Sequence, residues 1–343
     1  VVLGQMKKYD YLTEEECTKY QKSSFKIDYK RITKHDGLAP YFREYLRKEL
    51  LTFLKNNPKS DGSIYDLYSD GLKIYTTIDS RLQAKAEKAA QHRIKYLQDQ
   101  LRKQFKNSSR EWNAVFKKVI KKSSVYKKLK DKKLSQKKIN EIITKKVSMT
   151  IWNMGQEVDT LMSPKDSIIH YVSILQTGLL SLQPQTGYVK AWVGGIAHKY
   201  FQYDHVTSPR QVGSTFKPIV YANALEQKIS PCKFFKNQQK VYSEYDDWSP
   251  KNSGDNYEGF YTMKGALTNS MNTITAEMII NGGIDNVIKL AKNMEITANF
   301  PQNPTIALGT ASIPLFEMLG AYTVFSNHGQ YSKPIYVTKI EDK

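Results

Sequence analysis

Apolar residues recur at helical spacing through the first hundred positions, with one strand-like interruption. Residues 13–16 (TEEE) have the spacing of a capping box, and residues 41–54 (YFREYLRKELLTFL) place apolar side chains on one helical face. Residues 72–78 (LKIYTTI) are β-branched and aromatic with an alternating component, which predicts a strand. Asp79 then precedes a pattern that predicts a helix over residues 80–105.

Lysine pairs alternate with single apolar residues over residues 103–146, which predicts amphipathic helices with a lysine-rich outer face. Residues 81–150 contain 22 Lys and Arg against five Asp and Glu, so this segment carries most of the net charge of +19. Three interpretations stay open: a solvated helical insertion, contact with an anionic membrane or acidic wall polymer, and nucleic-acid binding. Nucleic acid is the least favoured partner, because no recognition motif or aromatic stacking pattern accompanies the charge.

The second half of the chain changes to a mixed pattern. Residues 179–193 predict a β-hairpin around the turn Pro184–Gly187, with one buried face. Further helices are predicted after Pro218, over 265–280 and over 315–325, and a strand over 334–340. This order predicts an α/β (α+β) fold in which a sheet supports a buried helix, with the helix after residue 214 packed on that sheet.

Composition adds few further candidates. The two cysteines, Cys17 and Cys232, are far apart in the sequence, which argues against a disulfide framework. We expect no cofactor and no metal ion. The sequence has no apolar run of about 20 residues that could span a bilayer, and it begins with Val1 instead of methionine. We therefore expect a fragment of a longer protein whose membrane anchor is not in this chain.

The strongest candidate chemistry is the sequence Gly213-Ser214-Thr215-Phe216-Lys217-Pro218. Positions i and i+3 are neighbours on a helix, so Ser214 and Lys217 can share one face as nucleophile and base. Pro218 is compatible with a first helical turn, and free N–H groups there can stabilise an oxyanion. Lys217 could act as a base only if burial or cationic neighbours lower its pKa.

A second pair, Ser270 and Asn272, follows some fifty residues downstream and could present a hydroxyl and an amide to the same cleft. His198 and His205 lie near the nucleophile in sequence and raise the alternative of a Ser–His arrangement. No acidic partner and no nucleophile elbow accompanies these histidines, so we expect loop residues there.

Five collinear blocks resemble the transpeptidase domain of class A penicillin-binding proteins. They are QTGLLSLQPQTGYVKAWVGG, RQVGSTFKPIVYANALE, WSPKN, GALTNSMNTITAEM and IALGTASIPLFEMLGAYTVFSN. S-x-x-K followed by S-x-N is characteristic of that family. The resemblance implies the penicillin-recognising serine acyltransferase fold, preceded by a mostly helical region. In the block WSPKN, Trp248 and Asn252 are candidates to bind substrate in the cleft, although a packing loop is an equal alternative.

The resemblance also implies residue roles. Ser214 would attack the carbonyl of the penultimate D-alanine of a peptidoglycan stem peptide, and Lys217 would take its proton. Ser270 would pass a proton to the departing D-alanine, and Asn272 would hold Lys217 and the substrate amide. An amine of a neighbouring stem peptide, or water, would resolve the acyl-enzyme, and β-lactams would acylate the same serine.

The resemblance suggests a domain order of 1–55, 56–102, 103–166 and 167–343. These segments are expected to be a helical tail similar to the end of a glycosyltransferase domain, a linker strand and helix, a lysine-rich helical insertion, and a transpeptidase domain that is incomplete at its C-terminal end. No glycosyltransferase motif is found, so we assign that activity to the parent protein only. The chain contains no K-T-G, so we expect unpaired sheet edges, and the sequence leaves open whether this chain alone is active.

These observations predict a serine D,D-transpeptidase that cross-links stem peptides at the extracytoplasmic (periplasmic) face of a bacterial inner membrane. Its expected partners are stem peptides and β-lactam antibiotics. Two alternatives remain: a non-catalytic module on the same scaffold that binds the wall or a membrane surface, and a β-lactam-hydrolysing or sensing serine acylase. The glycosyltransferase-like tail and linker disfavour the second alternative.

Overall fold

The computed structural model describes residues 1–24, 33–107 and 109–342, and it divides into two compact units, residues 1–36 and 37–343. The first unit contains helices α1 (Val2–Lys8) and α2 (Glu14–Lys22). Helix α2 begins at the predicted capping box, in which Thr13 Oγ1 accepts a hydrogen bond from Glu16 N at 3.2 Å. The parts of the predicted 1–55 tail and lysine-rich segment at 25–32 and 108 lie outside the described residues, as does residue 343.

The second unit mixes helices and short strands. Its helices are α3 (Pro40–Asn56), α4 (Ser80–Asn107), α5 (Ser109–Lys122), α6 (Ser124–Asp131), α7 (Gln136–Thr144), α8 (Pro164–Val172), α9 (Lys217–Glu226), α10 (Met263–Thr268), α11 (Asn272–Gly282), α12 (Ile284–Asn293) and α13 (Leu315–Ser326). Its strands are β1 (Lys73–Thr76), β2 (Val147–Asn153), β3 (Gln156–Met162), β4 (Leu179–Leu182), β5 (Val189–Val193), β6 (Arg210–Gln211), β7 (Phe235–Lys236), β8 (Phe260–Tyr261), β9 (Ser312–Ile313) and β10 (Val337–Glu341).

The predicted hairpin β4–β5 is confirmed, but the prediction that only one of its faces is buried is wrong. Trp192 stacks on Tyr45 of α3 with ring centroids 4.8 Å apart. On the other side, Ala191 and Val193 pack with Ala86 and Ala90 of α4. Strand β5 is therefore covered on both faces. Such strands carry apolar residues in succession instead of alternating with polar ones.

The linker runs along the edge of β5 that does not pair with β4. Strand β1 pairs antiparallel with β10, and an isolated parallel bridge joins Tyr188 to Ile335. Just after β1, Thr77 Oγ1 donates to Val189 O at 2.6 Å, and Asp79 N donates to Lys190 O at 3.0 Å. These contacts satisfy backbone groups that an open sheet edge would expose.

The lysine-rich segment forms the predicted amphipathic helices α5–α7, but the helical insertion predicted over 103–166 is helical only in part. Residues 147–162 form the antiparallel hairpin β2–β3. Met154 and Gly155 at its turn both have positive φ, +47° and +117°. Two central residues with positive φ are typical of the tight turns that match strand twist. The finer domain boundaries at 55/56, 102/103 and 166/167 stay predictions.

The largest apolar core lies among the helices of the second half. Buried residues of α9, α11 and α12 form one cluster, whereas the hairpin β4–β5 contributes to other clusters. The prediction that the helix after Ser214 packs on the hairpin is therefore wrong; it packs mainly on other helices. The helix predicted over 265–280 is divided into two, because α10 ends at Thr268 and α11 begins at Asn272, after the serine of S-x-N.

Candidate active site

Ser214 lies in a short 3₁₀ turn, Gly213–Phe216, that leads directly into α9. Gly213 has φ +54° and donates its N–H to Gly309 O at 3.0 Å. Gly309 has φ +73°, and a Cβ built there would lie 2.0 Å from Gly213 O. Only glycine at 309 permits this approach, which fixes the backbone immediately before the nucleophile. Ser214 itself is exposed.

Lys217 is the first residue of α9 and is 1% exposed. Its Nζ donates to Ser270 O at 2.7 Å, to Ser270 Oγ at 3.1 Å and to Asn272 Oδ1 at 2.7 Å. Burial disfavours the charged ammonium and lowers the pKa of Lys217 to about 8. A lysine can act as a base here only if its pKa is lowered. Desolvation of Lys217 meets this condition.

Ser270 occupies the tight turn between α10 and α11 with φ +52°, in the left-handed region. This conformation directs both its carbonyl oxygen and its hydroxyl towards Lys217. The Ser270 hydroxyl also donates to Ser214 Oγ at 3.0 Å. A continuous hydrogen-bonded path therefore runs from the exposed nucleophile through Ser270 to the buried amine.

The three partners of Lys217 Nζ suit a neutral amine as well as an ammonium. The Ser270 carbonyl and the Asn272 Oδ1 can only accept, whereas the Ser270 hydroxyl can accept or donate. A neutral amine has two N–H groups for the two carbonyl-type oxygens and one lone pair for the Ser270 hydroxyl proton, which then turns from Ser214 Oγ to Nζ and leaves the Ser270 oxygen free to accept from Ser214. The site therefore accommodates Lys217 before and after proton uptake without moving a side chain.

The orientation of the Asn272 amide follows from its second partner. Asn272 Nδ2 donates to Lys251 O at 2.7 Å, and a backbone carbonyl can only accept. Asn272 Oδ1 is therefore the atom that faces Lys217. The structure thus brings together all four residues predicted to act in catalysis, Ser214, Lys217, Ser270 and Asn272, although their catalytic roles stay proposals.

Comparison with known proteins gives the family. Residues 178–343 match the penicillin-binding protein transpeptidase domain, and residues 100–175 match the penicillin-binding protein middle domain. Penicillin-binding protein 1A of Aquifex aeolicus is 28% identical over 344 residues, covering 92% of this chain and 47% of the relative. The chain belongs to the penicillin-binding protein family.

Two further comparisons agree with this assignment. Penicillin-binding protein 1A of Pseudomonas aeruginosa is 30% identical over 186 residues, covering 52% of this chain and 23% of the relative. The crystal structure of penicillin-binding protein 1A from Haemophilus influenzae superposes with a TM-score of 0.62 at 20% identity, over 99% of this chain and 53% of that one. The predicted penicillin-recognising fold is confirmed. This penicillin-binding protein chain spans about half the length of relatives such as the Aquifex protein.

Trp248 lies outside the group of four residues, whereas Asn252 contacts that group from behind. Trp248 is half-buried against Tyr242, with ring centroids 5.6 Å apart and a backbone pair between the two residues. This contact agrees with the packing-loop alternative, and substrate binding by Trp248 stays a prediction. Asn252 is buried, and its Oδ1 accepts from Asn272 N at 2.8 Å. It lies behind the S-x-N turn, so its contact with the site runs through Asn272, and direct substrate binding by Asn252 stays a prediction.

Residues that the sequence did not single out support the site. Asn237 is fully buried and accepts from Thr273 Oγ1 at 2.8 Å. The hydroxyl of Tyr322, on α13, donates to Thr215 O at 2.6 Å beside the nucleophile. Asn237 stands in a loop-rich stretch with no periodic signal, so a sequence pattern could not find it. Tyr322 lies in one of the family-like blocks, which is the only signal it offered.

The two histidines are not part of the catalytic group. His198 is buried with its ring edge-to-face against Tyr41, 4.8 Å between centroids. His205 packs against Tyr203, and desolvation lowers the pKa of His205. Within residues 1–24, 33–107 and 109–342, no cluster of three or more His, Cys, Asp or Glu could hold a metal ion. None of the helices in those ranges is long and apolar enough to cross a bilayer.

Proposed function

We propose that this chain carries the acyl-transfer site of a peptidoglycan D,D-transpeptidase, with Ser214 as nucleophile and Lys217 as base. One observation supports this assignment above the others. The exposed Ser214 hydroxyl connects through Ser270 to a desolvated lysine amine. A serine, a second hydroxyl and a buried amine in series provide a nucleophile and a route for its proton.

In the acylation step, Ser214 Oγ bonds to the carbonyl carbon of the penultimate D-alanine of a stem peptide. Its proton passes to Ser270 Oγ, while the Ser270 proton passes to the neutral Nζ of Lys217. The resulting tetrahedral intermediate collapses as the bond to the terminal D-alanine breaks. The proton returns from Lys217 through Ser270 to the departing amine, which leaves Lys217 neutral for the next step.

The acyl-enzyme is resolved by the reverse sequence. The amine of a second stem peptide, or water, gives a proton through Ser270 to Lys217 as it attacks the ester carbonyl. Ser214 leaves as the alcohol and recovers that proton. A β-lactam follows the first step only, because its strained amide opens onto Ser214 and the leaving amine stays attached to the adduct. β-Lactams and stem peptides are accordingly the proposed ligands of this site.

Labelling with a fluorescent penicillin tests this function. The protein should form a covalent band that resists denaturation, and Ser214→Ala should abolish the band. Lys217→Ala should slow labelling by about 10²- to 10⁴-fold, the usual contribution of a positioned base. Ser243→Ala, at an exposed serine outside the hydrogen-bonded group, is the matched control and should label like the wild type. An unlabelled wild type, or a labelled Ser214→Ala, would contradict the proposal.

The place of action is proposed with the function. We place the site at the extracytoplasmic face of a bacterial inner membrane, where peptidoglycan stem peptides are found. We also propose that the lysine-rich helices α5–α7 contact anionic lipid headgroups there. Most lysines of this segment are exposed, and within its described part Lys138 is the one lysine with a carboxylate within 4 Å, Glu141 at 3.6 Å. Unpaired cations on one region favour an anionic surface.

Liposome co-sedimentation tests the lipid contact. The protein should pellet with vesicles that contain anionic lipid at low salt, and less so at high salt as screening increases. Replacing Lys121, Lys122, Lys127 and Lys128 by Gln should weaken this binding, while fluorescent penicillin labelling stays unchanged. Salt-insensitive binding, or equal binding to neutral vesicles, would contradict the contact. Binding to an acidic wall polymer without binding to anionic vesicles would also contradict it.

A further inference from the structure

Asn272 is held at both its backbone and its side chain by two consecutive residues of one loop. Lys251 O accepts from Asn272 Nδ2 at 2.7 Å, and Asn252 Oδ1 accepts from Asn272 N at 2.8 Å. The same Asn252 oxygen accepts from Thr273 N at 3.2 Å. The N-cap residue of α11, Met271, provides no side-chain cap. Asn252 therefore caps this helix from a separate loop, satisfying N–H groups that helix starts leave free.

The Asn252 amide is in turn fixed by Asn237, which is fully buried. Asn252 Nδ2 donates to Asn237 Oδ1 at 2.7 Å and to Asn256 O at 2.9 Å. Asn237 Nδ2 donates to the carbonyl oxygens of Asn256 and Glu258, both at 3.1 Å. Backbone N–H groups only donate and carbonyls only accept, so these partners determine the orientation of both amides.

This network positions the hydrogen-bond partners of Lys217. All three oxygens around Lys217 Nζ belong to Ser270 and Asn272, in the turn that Asn252 holds from behind. Two buried amides are costly unless their hydrogen bonds are made, and here they are made to each other and to the backbone. We propose that Asn252 and Asn237 are positioning residues, which fix the Asn272 amide and the Ser270 turn and so keep Lys217 in a dry site.

The proposal rests on the proposed acyl-transfer function, and its distinctive consequence is a pH effect. Burial is the cause of the lowered pKa of Lys217. The ionisable groups on α9 and on the elements packed around the site are Tyr221 and Glu226 on α9, Lys264 on α10, Glu277 on α11, Asp285, Lys289 and Lys292 on α12, and Lys251 in the loop that holds Asn272. Glu277 is paired with Lys240 at 2.7 Å. A looser turn that admits water should therefore raise the pKa of Lys217 from about 8 towards its ordinary value.

The experiment measures the rate constant for acylation by a fluorescent penicillin from pH 6 to pH 9.5, for the wild type, Asn252→Ala and Asn252→Asp. Asn252→Asp keeps an oxygen for both N–H groups of α11, so it should fold even if Asn252→Ala does not. It loses the donor to Asn237 and adds a carboxylate, which also raises the pKa of Lys217. Each unit of increase should slow acylation at pH 7 about tenfold, and the deficit should shrink as pH rises.

Asn269→Ala is the matched control. Asn269 lies in the same turn and is exposed, and its Nδ2 donates to Gly265 O at 2.9 Å, away from Lys217. Its pH profile should coincide with that of the wild type. If Asn252 were only structural, Asn252→Ala would react more slowly by the same factor at every pH, whereas the new carboxylate of Asn252→Asp makes its deficit pH-dependent in any case. A pH-independent ratio of Asn252→Ala to wild type overturns the proposal, and so does a pH-independent ratio of Asn252→Asp to wild type. A wild type that is not acylated at any pH overturns the proposed function instead.

Discussion

The backbone carbonyl oxygen of Ser270, a residue in the left-handed conformation, accepts a hydrogen bond from Lys217 Nζ at 2.7 Å. Ser270 therefore contributes to the site in two separable ways. Its backbone holds the amine in place, and its hydroxyl connects that amine to Ser214 at 3.0 Å. Substitutions at this one position can remove the hydroxyl and leave the backbone contact.

Ser270→Ala should slow acylation by about 10²-fold or more, because the proton path from Ser214 to Lys217 is broken. The midpoint of the pH profile should stay near that of the wild type, because the carbonyl of residue 270 and Asn272 still surround the amine. Stopped-flow measurement with a chromogenic cephalosporin checks both expectations. A wild-type rate in Ser270→Ala would show that the proton takes another route.

The acylation rate should rise with pH through the pKa of Lys217, about 8. The sign follows from the mechanism, since only the neutral amine can accept the proton. At pH 7 about one molecule in ten has a neutral Lys217, so the rate should increase about tenfold from pH 6 to pH 7 and level off above pH 9. A rate that falls over this range would rule out Lys217 as the base.

Gly309→Ala should destabilise the protein by about 3 kcal/mol or more, through left-handed strain and a Cβ pressed against Gly213. That Cβ would lie 2.0 Å from Gly213 O. The control is Gly329→Ala, where φ is +81° but no atom lies within 4 Å of the new Cβ. It should cost about 1 kcal/mol, the strain alone. Urea unfolding of both variants gives the difference, and equal losses would show that the contact with Gly213 is relieved cheaply.

Gln83→Leu should lower the free energy of unfolding by about 2 to 4 kcal/mol, because two buried backbone groups lose their partner. Gln83 is fully buried; its Nε2 donates to Trp192 O at 2.8 Å, and its Oε1 accepts from Trp192 N at 2.7 Å. Gln104→Leu, at an exposed position of the same helix α4, should change stability by less than about 0.5 kcal/mol. Thermal unfolding by circular dichroism compares them, and a small loss in Gln83→Leu would contradict its role at the edge of β5.

The sequence predicted the helices and the hairpin well where a hydrophobic pattern extended over many residues or where the capping and turn residues were recognisable. The capping box at Thr13 and the turn Pro184–Gly187 are confirmed for that reason. The double burial of β5 was missed, because Lys190 suggested alternation and only the tertiary packing of α3 and α4 shows that both faces are covered. The hairpin over 147–162 was missed because the lysine pattern before it suggested continued helix.

In the active site, too, local features could be predicted from the sequence and tertiary contacts could not. The spacing of Ser214 and Lys217 is a local property of one helix start, so the sequence could predict their proximity. Ser270 breaks a pattern that reads as one continuous helix, and its left-handed φ cannot be inferred from serine itself. Asn252 stood in a family-like block, but its position behind Asn272 depends on Asn237, a contact between loops that no periodicity encodes.

Peptide mapping of the penicillin adduct tests the central claim most directly. Trypsin should release the peptide that begins at Gln211 and continues past the Lys217–Pro218 bond, which resists cleavage. After brief exposure to benzylpenicillin, tandem mass spectrometry should find one added penicilloyl group in this peptide, on Ser214, and none in Ser214→Ala. An adduct on another residue, or an unmodified Gln211 peptide under conditions that label the protein, would contradict the assignment of Ser214 as nucleophile.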